Sequence, residues 1–129
     1  MSDAPMRTVL IADASADNRR PLRQALSRAG FAVVEVDNGT EAIGALGRGA
    51  FDVVVTDLWM PGADGIAVIR SIRKVSPRAA IFVVTGGGPG LSIASAAALA
   101  QVWGARKVYV KPFDMHDLIG EIGALFPQR

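Results

Sequence analysis

Short unbroken apolar runs alternate along the chain with stretches whose apolar residues recur at helical spacing. Thr8-Val9-Leu10-Ile11-Ala12 is the first run. Ala32-Val33-Val34-Glu35-Val36, which alternates slightly more, is the second, and Phe51-Asp52-Val53-Val54-Val55-Thr56 is the third. Ala80-Ile81-Phe82-Val83-Val84 and Val108-Tyr109-Val110 complete the set. Continuous runs of branched side chains predict strands of a parallel sheet covered on both faces. Between them, Leu22, Ala25, Leu26 and Ala29 share one helical face, with Asp17 expected as N-cap and Gly30 as the stop. Ala42, Ile43 and Leu46 mark a second helix, entered through the turn Asp37-Asn38-Gly39. Ile66, Ile69, Ile72 and Val75 mark a third, ending before Pro77. Leu91 to Trp103 is expected to form a fourth helix with Trp103 as its core anchor. Leu118, Ile119, Ile122, Leu125 and Phe126 mark a fifth with Asp114 as N-cap.

The order is strand-helix repeated five times, which with right-handed crossovers predicts a doubly wound α/β sheet. Sites in such sheets lie at the carboxyl ends of the strands, near the point where strand order reverses. That rule singles out Asp13 after the first strand, Asp57 after the third, Thr85 after the fourth and Lys111 after the fifth.

Composition narrows the chemistry. With 129 residues, the chain is read as a single domain over 1–129, with an ordered core over about 7–127. It has no cysteine, so disulfide scaffolds, thiolate metal sites and thiol nucleophiles are excluded. The net charge of +2 comes with no basic stripe. Arg19-Arg20 and the group Arg70, Arg73, Lys74 read as solvated helix faces, so no nucleic-acid partner is expected. No apolar stretch is long enough for a membrane span, and Met1 to Arg7 lacks the apolar core of a signal peptide, so a cytoplasmic location is expected and no membrane partner. No Gly-x-x-x-x-Gly-Lys motif follows a strand, which leaves nucleotide hydrolysis without support.

Taken singly, Asp13 reads as a cap or turn residue, Asp57 as a turn former, Lys111 as a surface lysine and Thr85 as a strand-end hydroxyl. Their shared place at the strand ends changes those readings. Two converging carboxylates repel unless a cation lies between them, and a hard, oxygen-ligated ion such as Mg²⁺ suits them. A lysine adds a fixed positive charge and a threonine a donor, a set that stabilises a phosphoryl group in transit. With no cysteine and no Ser–His pair, a carboxylate is the best candidate nucleophile. His116, the single histidine, reads as solvated.

From about Thr8 to Phe126 the chain resembles the receiver domain of two-component response regulators. Asp57-Leu58-Trp59-Met60-Pro61-Gly62-Ala63-Asp64-Gly65 resembles that family's phosphoacceptor loop. Lys111-Pro112-Phe113 resembles its lysine-proline motif, where the family has a cis peptide, and Thr85 stands where the family has its switch threonine or serine. The resemblance implies a flavodoxin-like (βα)5 sandwich with a five-stranded parallel sheet in the order 2-1-3-4-5. It implies that Asp57 accepts a phosphoryl group from a sensor histidine kinase or a histidine phosphotransfer protein. Lys111 would pair with the phosphoryl oxygens, and Thr85 would move to bond another. Asp13, Asp57 and the Trp59 carbonyl would hold Mg²⁺, and the side chain of Trp59 would affect how water reaches the acyl phosphate. A downstream protein would dock around the fourth helix, fifth strand and fifth helix of a monomer or weak dimer.

Three departures from the family pattern stand out. Ala14 occupies the second acidic position after the first strand, which predicts weak Mg²⁺ binding. Val108 stands at the family's signalling aromatic, while Tyr109 is expected on the opposite face of its strand. Thr85-Gly86-Gly87-Gly88-Pro89-Gly90 is read as a flexible connector, with a lid or an anion-binding nest as the sharper alternative. The leading expectation is a stand-alone phosphorelay receiver that is not an enzyme beyond phosphotransfer to its own Asp57. The alternative is a pseudo-receiver that binds partners without phosphorylation. A small α/β enzyme with Asp57 as nucleophile ranks last.

Overall fold

A computed structural model describes residues 6–62, 65–86 and 92–127. Five strands and five helices alternate: β1 (Thr8–Ala12), α1 (Ala16–Arg28), β2 (Ala32–Val36), α2 (Gly39–Arg48), β3 (Val53–Thr56), α3 (Gly65–Val75), β4 (Ala80–Thr85), α4 (Ile93–Val102), β5 (Lys107–Val110) and α5 (Met115–Leu125). The strands form one sheet in the order β2-β1-β3-β4-β5, and every pairing is parallel. Strand order thus reverses between β1 and β3, as expected from the sequence.

The two-residue period of the strands divides the core in two. Leu10, Ala12, Val54, Ile81 and Val83 face α2, α3 and α4, where they meet Leu46, Val68, Ile69, Ile72 and Ala100. Val9, Ile11, Val53, Val55, Phe82, Val84 and Tyr109 face α1 and α5, where they meet Leu22, Leu26, Leu118 and Ile122. Each fully buried Leu or Ile contributes about 1.5–3 kcal/mol. Continuous apolar runs are what a sheet covered on both sides requires. Tyr109 lies on the α1/α5 side and Val108 packs against the other, as the strand period predicts.

Several local expectations change. The N-cap of α1 is Ser15, not Asp17: Ser15 is extended at φ −95° and its hydroxyl accepts the Asn18 amide at 3.3 Å. Asp17 falls one place inside the helix, where its carboxylate favours the positive end of the helix dipole. The third strand starts at Val53, and the Asp52 carboxylate before it accepts the Thr8 amide at 2.8 Å. Helix α4 starts at Ile93 behind the N-cap Ser92. Trp103 is no core anchor: it caps the C-terminus of α4 and stays 40% exposed. Ala100 is the one buried residue described on α4, so the helix lies lightly on the sheet and its later apolar positions face outward. Asp114 caps α5 as read from the sequence, and Asn38, read as a turn residue, also caps α2. The glycine connector from 87 to 91, and Asp64, lie outside the described residues.

Candidate functional site

The ends of β1, β3 and β5 bring three of the singled-out side chains together. Asp13 follows β1 and Asp57 follows β3, and the Asp57 amide donates to the Ala12 carbonyl at 2.9 Å, continuing the ladder past the strands. Lys111 follows β5, its amide bonded to the Thr85 carbonyl at 2.9 Å. From there the Lys111 Nζ reaches Asp13 Oδ2 at 2.9 Å and Asp57 Oδ2 at 2.8 Å. One ammonium thus stands between two carboxylates that would otherwise repel. Burial works against the ammonium, yet its bonds to Asp57 and Asp13 outweigh burial and hold its pKa above the ordinary lysine value.

Each carboxylate keeps its other oxygen on local donors. Asp13 Oδ1 accepts the Ser15 amide at 2.9 Å, and Asp57 Oδ1 accepts the Trp59 amide at 3.1 Å. Both aspartates are therefore aimed by the turn that follows them, and both are nearly buried, at 8% and 9% exposure. A small cavity of about 20 Å³ beneath them is lined by Asp13, Asp57, Lys111 and Phe113. The bond between Lys111 and Pro112 is cis. Thr85 ends β4 fully buried, joined to Lys111 through the backbone but not lining that cavity.

The loop after Asp57 is held from the side. Gly39 donates its amide to the Pro61 carbonyl at 3.0 Å. Gly62 is left-handed at φ +83°, and a Cβ there would collide with the Thr40 side chain. Only glycine satisfies both conditions, and the loop is thereby pinned to the first turn of α2.

Sequence reading missed Arg19. Read as part of a solvated face, its side chain is only 16% exposed. Its guanidinium donates to the Asp13 carbonyl at 2.6 Å and to Glu35 at 3.1 Å, while Arg23 meets the same Glu35 at 2.9 Å. The signal was present in Glu35, a lone charge within an apolar strand run, whose partners come from α1 only once the fold is formed. Asn18 also contacts Asp13, at 3.5 Å. His116 is exposed in the first turn of α5, as expected.

The oxygen donors suit a hard cation: two carboxylates already converge on a positive centre. Among the described residues no three His, Cys, Asp or Glu side chains gather to hold a metal. Ala14 lies exposed beside Asp13 and adds no oxygen. A cation here would draw on two carboxylates, a backbone carbonyl and water, a set that Mg²⁺ accepts because it keeps several waters. None of the helices among the described residues is long and apolar enough to cross a membrane.

Comparison with known proteins places this geometry. A family model described as the response regulator receiver domain matches residues 9–123. The response regulator receiver protein CpdR of Brucella abortus (strain 2308) is 35% identical over 91% of this chain and 94% of its own. The transcriptional regulatory protein ResD of Bacillus subtilis (strain 168) is 33% identical over 91% of this chain, which spans 47% of ResD. Among solved structures, a response regulator protein from Burkholderia pseudomallei with a phosphorylated aspartic acid, calcium ion and citrate is similar. It is 26% identical, with a TM-score of 0.77 over 94% of this chain and 75% of that one.

Proposed function

The chain belongs to the response regulator receiver domain family of two-component systems, and from that premise we propose that Asp57 is the acceptor in a phosphorelay. Receiver domains are signalling switches that interact with histidine kinases or phosphotransfer proteins and with downstream targets, and phosphorylation and Mg²⁺ binding are general to the family. For this chain, an Asp57 carboxylate oxygen attacks the phosphorus of a partner phosphohistidine. A P–O bond forms to Asp57, the P–N bond breaks, and the imidazole leaves with the bonding pair.

The observation that carries this reading is the Lys111 ammonium, 2.8 Å from Asp57 and 2.9 Å from Asp13. A fixed cation already in place stabilises charge that develops on the phosphoryl oxygens, without reorganisation at the moment of transfer. As the phosphoryl group arrives, Lys111 exchanges a carboxylate oxygen for a phosphoryl oxygen. The Trp59 amide keeps Asp57 aimed, and Arg19 holds the Asp13 end of the first loop. Asp13, Asp57 and the Trp59 carbonyl would hold Mg²⁺, which when bound neutralises the charge gathered at the rim. With Ala14 supplying no oxygen, that ion binds weakly. Thr85, one backbone bond from Lys111, would have to move toward the site to answer the new charge and so bias the α4 surface.

On this reading the receiver acts by docking a protein in the cytoplasm; the likeness to the receiver protein CpdR supports its receiver part. The pseudo-receiver alternative rests on Ala14 alone, and the Asp13–Asp57–Lys111 contact weighs against it. The test is intact-mass measurement after treatment with acetyl phosphate and Mg²⁺. One phosphoryl mass is expected on the wild type and none on Asp57→Asn. Equal labelling of Asp57→Asn overturns the assignment.

A further inference from the structure

Charge is distributed unevenly along this chain. Between Asp64 and Asp114 there is no acidic residue, yet that stretch holds Arg70, Arg73, Lys74, Arg78, Arg106, Lys107 and Lys111. Lys107 pairs with Asp117 and Lys111 with the rim aspartates. Arg70, Arg73 and Lys74 of α3 have no carboxylate partner among the described residues. Arg73 and Lys74 stand three and four residues after Arg70, so each neighbours it on the helix surface and repels it by a few tenths of a kcal/mol. The negative end of α3 welcomes Arg73 and Lys74 in its last turn, but Arg70 lies a turn earlier.

That face borders a groove of about 480 Å³ whose apolar part comes from Ile43 of α2, Ala67 of α3 and Trp103 at the end of α4. The cations are arranged around it. The Arg70 guanidinium stacks on the Trp103 ring, 5.0 Å from its centre. Arg73 lies against Gly104, where φ is +105° and a Cβ would come within 3.1 Å of the guanidinium. Gly104 therefore lets Arg73 close in on the end of α4. Trp103, 40% exposed, forms an aromatic wall between positive charges.

We propose that this groove is a docking site for an acidic segment of a partner protein, one that sets an apolar side chain between carboxylates. The occupant follows from charge complementarity and from the floor. Three unpaired cations call for anions, and Ile43, Ala67 and Trp103 offer an apolar anchor point that a phosphate backbone does not use. Three cations on one helical face are also too few and too close for the row of phosphate contacts that sustains duplex binding. The groove is separate from the Asp13–Asp57–Lys111 rim, so the proposal holds whether or not Asp57 is phosphorylated.

The test uses a short fluorescein-labelled peptide of alternating Glu and Leu, a matched peptide with Gln for Glu, and a labelled duplex DNA. Binding to the full chain is followed by anisotropy and by amide and indole NMR shifts. The Glu peptide is expected to bind at least tenfold tighter than the Gln peptide, with shifts centred on Trp103, Arg70 and Ala67. Arg70→Glu with Lys74→Glu should abolish binding while the melting curve stays intact, because both side chains are exposed. Should that variant fail to fold, Arg70→Gln with Lys74→Gln is read instead, with at least a threefold loss expected. Equal binding of the two peptides, shifts centred away from the groove, or binding that survives either variant overturns the proposal. Tighter binding of the duplex would make the occupant a nucleic acid. Self-association of the wild type that the Glu variant abolishes would make it a second copy of the chain. Either result overturns it too.

Discussion

At the strand-end rim one ammonium stands between two carboxylates, whereas along α3 three cations stand together with no carboxylate among the described residues. The rim aspartates are nearly buried, Lys111 is half-buried, and the three follow three strands; the charges of α3 are exposed and come from one helix. Desolvation explains the difference. A charge taken out of water must be paired, and Lys111 pairs with both aspartates at once. A charge left in water costs little unpaired, so a cluster can be kept for a partner outside the molecule. The rim is thus balanced within the chain and changes state when a ligand replaces one of its own contacts. The α3 face has no internal ion pair to give up, only the stacking of Arg70 on Trp103.

The strongest way to break this contrast is to remove the rim's cation. Lys111→Met should slow labelling of Asp57 by acetyl phosphate about 100-fold or more, the scale of losing one fixed charge at a developing anion. The same variant should bind Mg²⁺ more tightly, since the ion no longer competes with the ammonium, and calorimetry reads both sides of that exchange. Normal labelling would make Lys111 a structural residue.

Adding charge to the rim sharpens it. Ala14→Asp should strengthen Mg²⁺ binding by about 1–2 kcal/mol, the scale of one partly screened carboxylate, and speed labelling of Asp57. No gain in calorimetry would mean that position 14 does not point at the site, and Ala14 would lose its assignment to the second acidic position.

An uncompensated polar group inside the protein gives a third comparison. The Tyr109 hydroxyl is buried with no partner in good hydrogen-bond geometry, and the Lys107 ammonium lies over its ring, 4.9 Å from the centre. Tyr109→Phe should therefore stabilise the fold by about 1 kcal/mol at neutral pH. Burial also pushes the Tyr109 pKa up, against the opposing pull of the Lys107 ammonium. A raised folded pKa gives stability that is present below the unfolded value of 10.0 and is lost as pH rises through the folded one. Lys107 acts in the same direction, raised chiefly by its hydrogen bond to Asp117. Wild-type melting temperatures should fall on the alkaline side, and Tyr109→Phe should fall less steeply. Parallel alkaline limbs would show that Tyr109 titrates as it does in water.

The smallest effect belongs to α3. Lys74→Gln relieves about 0.3 kcal/mol of repulsion with Arg70 but gives up a favourable charge of similar size at the negative end of α3, so stability should change by less than about 0.7 kcal/mol at low ionic strength. Salt near 1 M should shrink the change further, because screening then acts within about 3 Å. A loss well beyond that in denaturant titration would show that Lys74 has an internal partner after all.

Much of the rim was legible in the sequence. Asp13, Asp57 and Lys111 each follow an unbroken apolar run, and a parallel sheet places the ends of such runs side by side. Arg19 was not legible, because what distinguishes it from Arg20 is the direction of a helix face toward Glu35, a strand away. Trp103 was misread for a related reason. A large aromatic at the end of an Ala-rich helix reads as an anchor, but Ala100 carries the burial and the tryptophan is left to Arg70.

By itself the sequence determined the element order and the residues standing at the strand ends, because a side-chain period of two and a helical period of 3.6 are properties of the local chain, while the strand order came with the family resemblance. Tertiary structure alone decided which charges are shared. Lys111 is 98 positions from Asp13 and 54 from Asp57. Glu35 serves two arginines of another element, and Arg70 of α3 finds Trp103 of α4. Such pairings depend on distances between elements that no local pattern encodes. They are fixed only when the sheet closes and the cost of burying charge selects the partners.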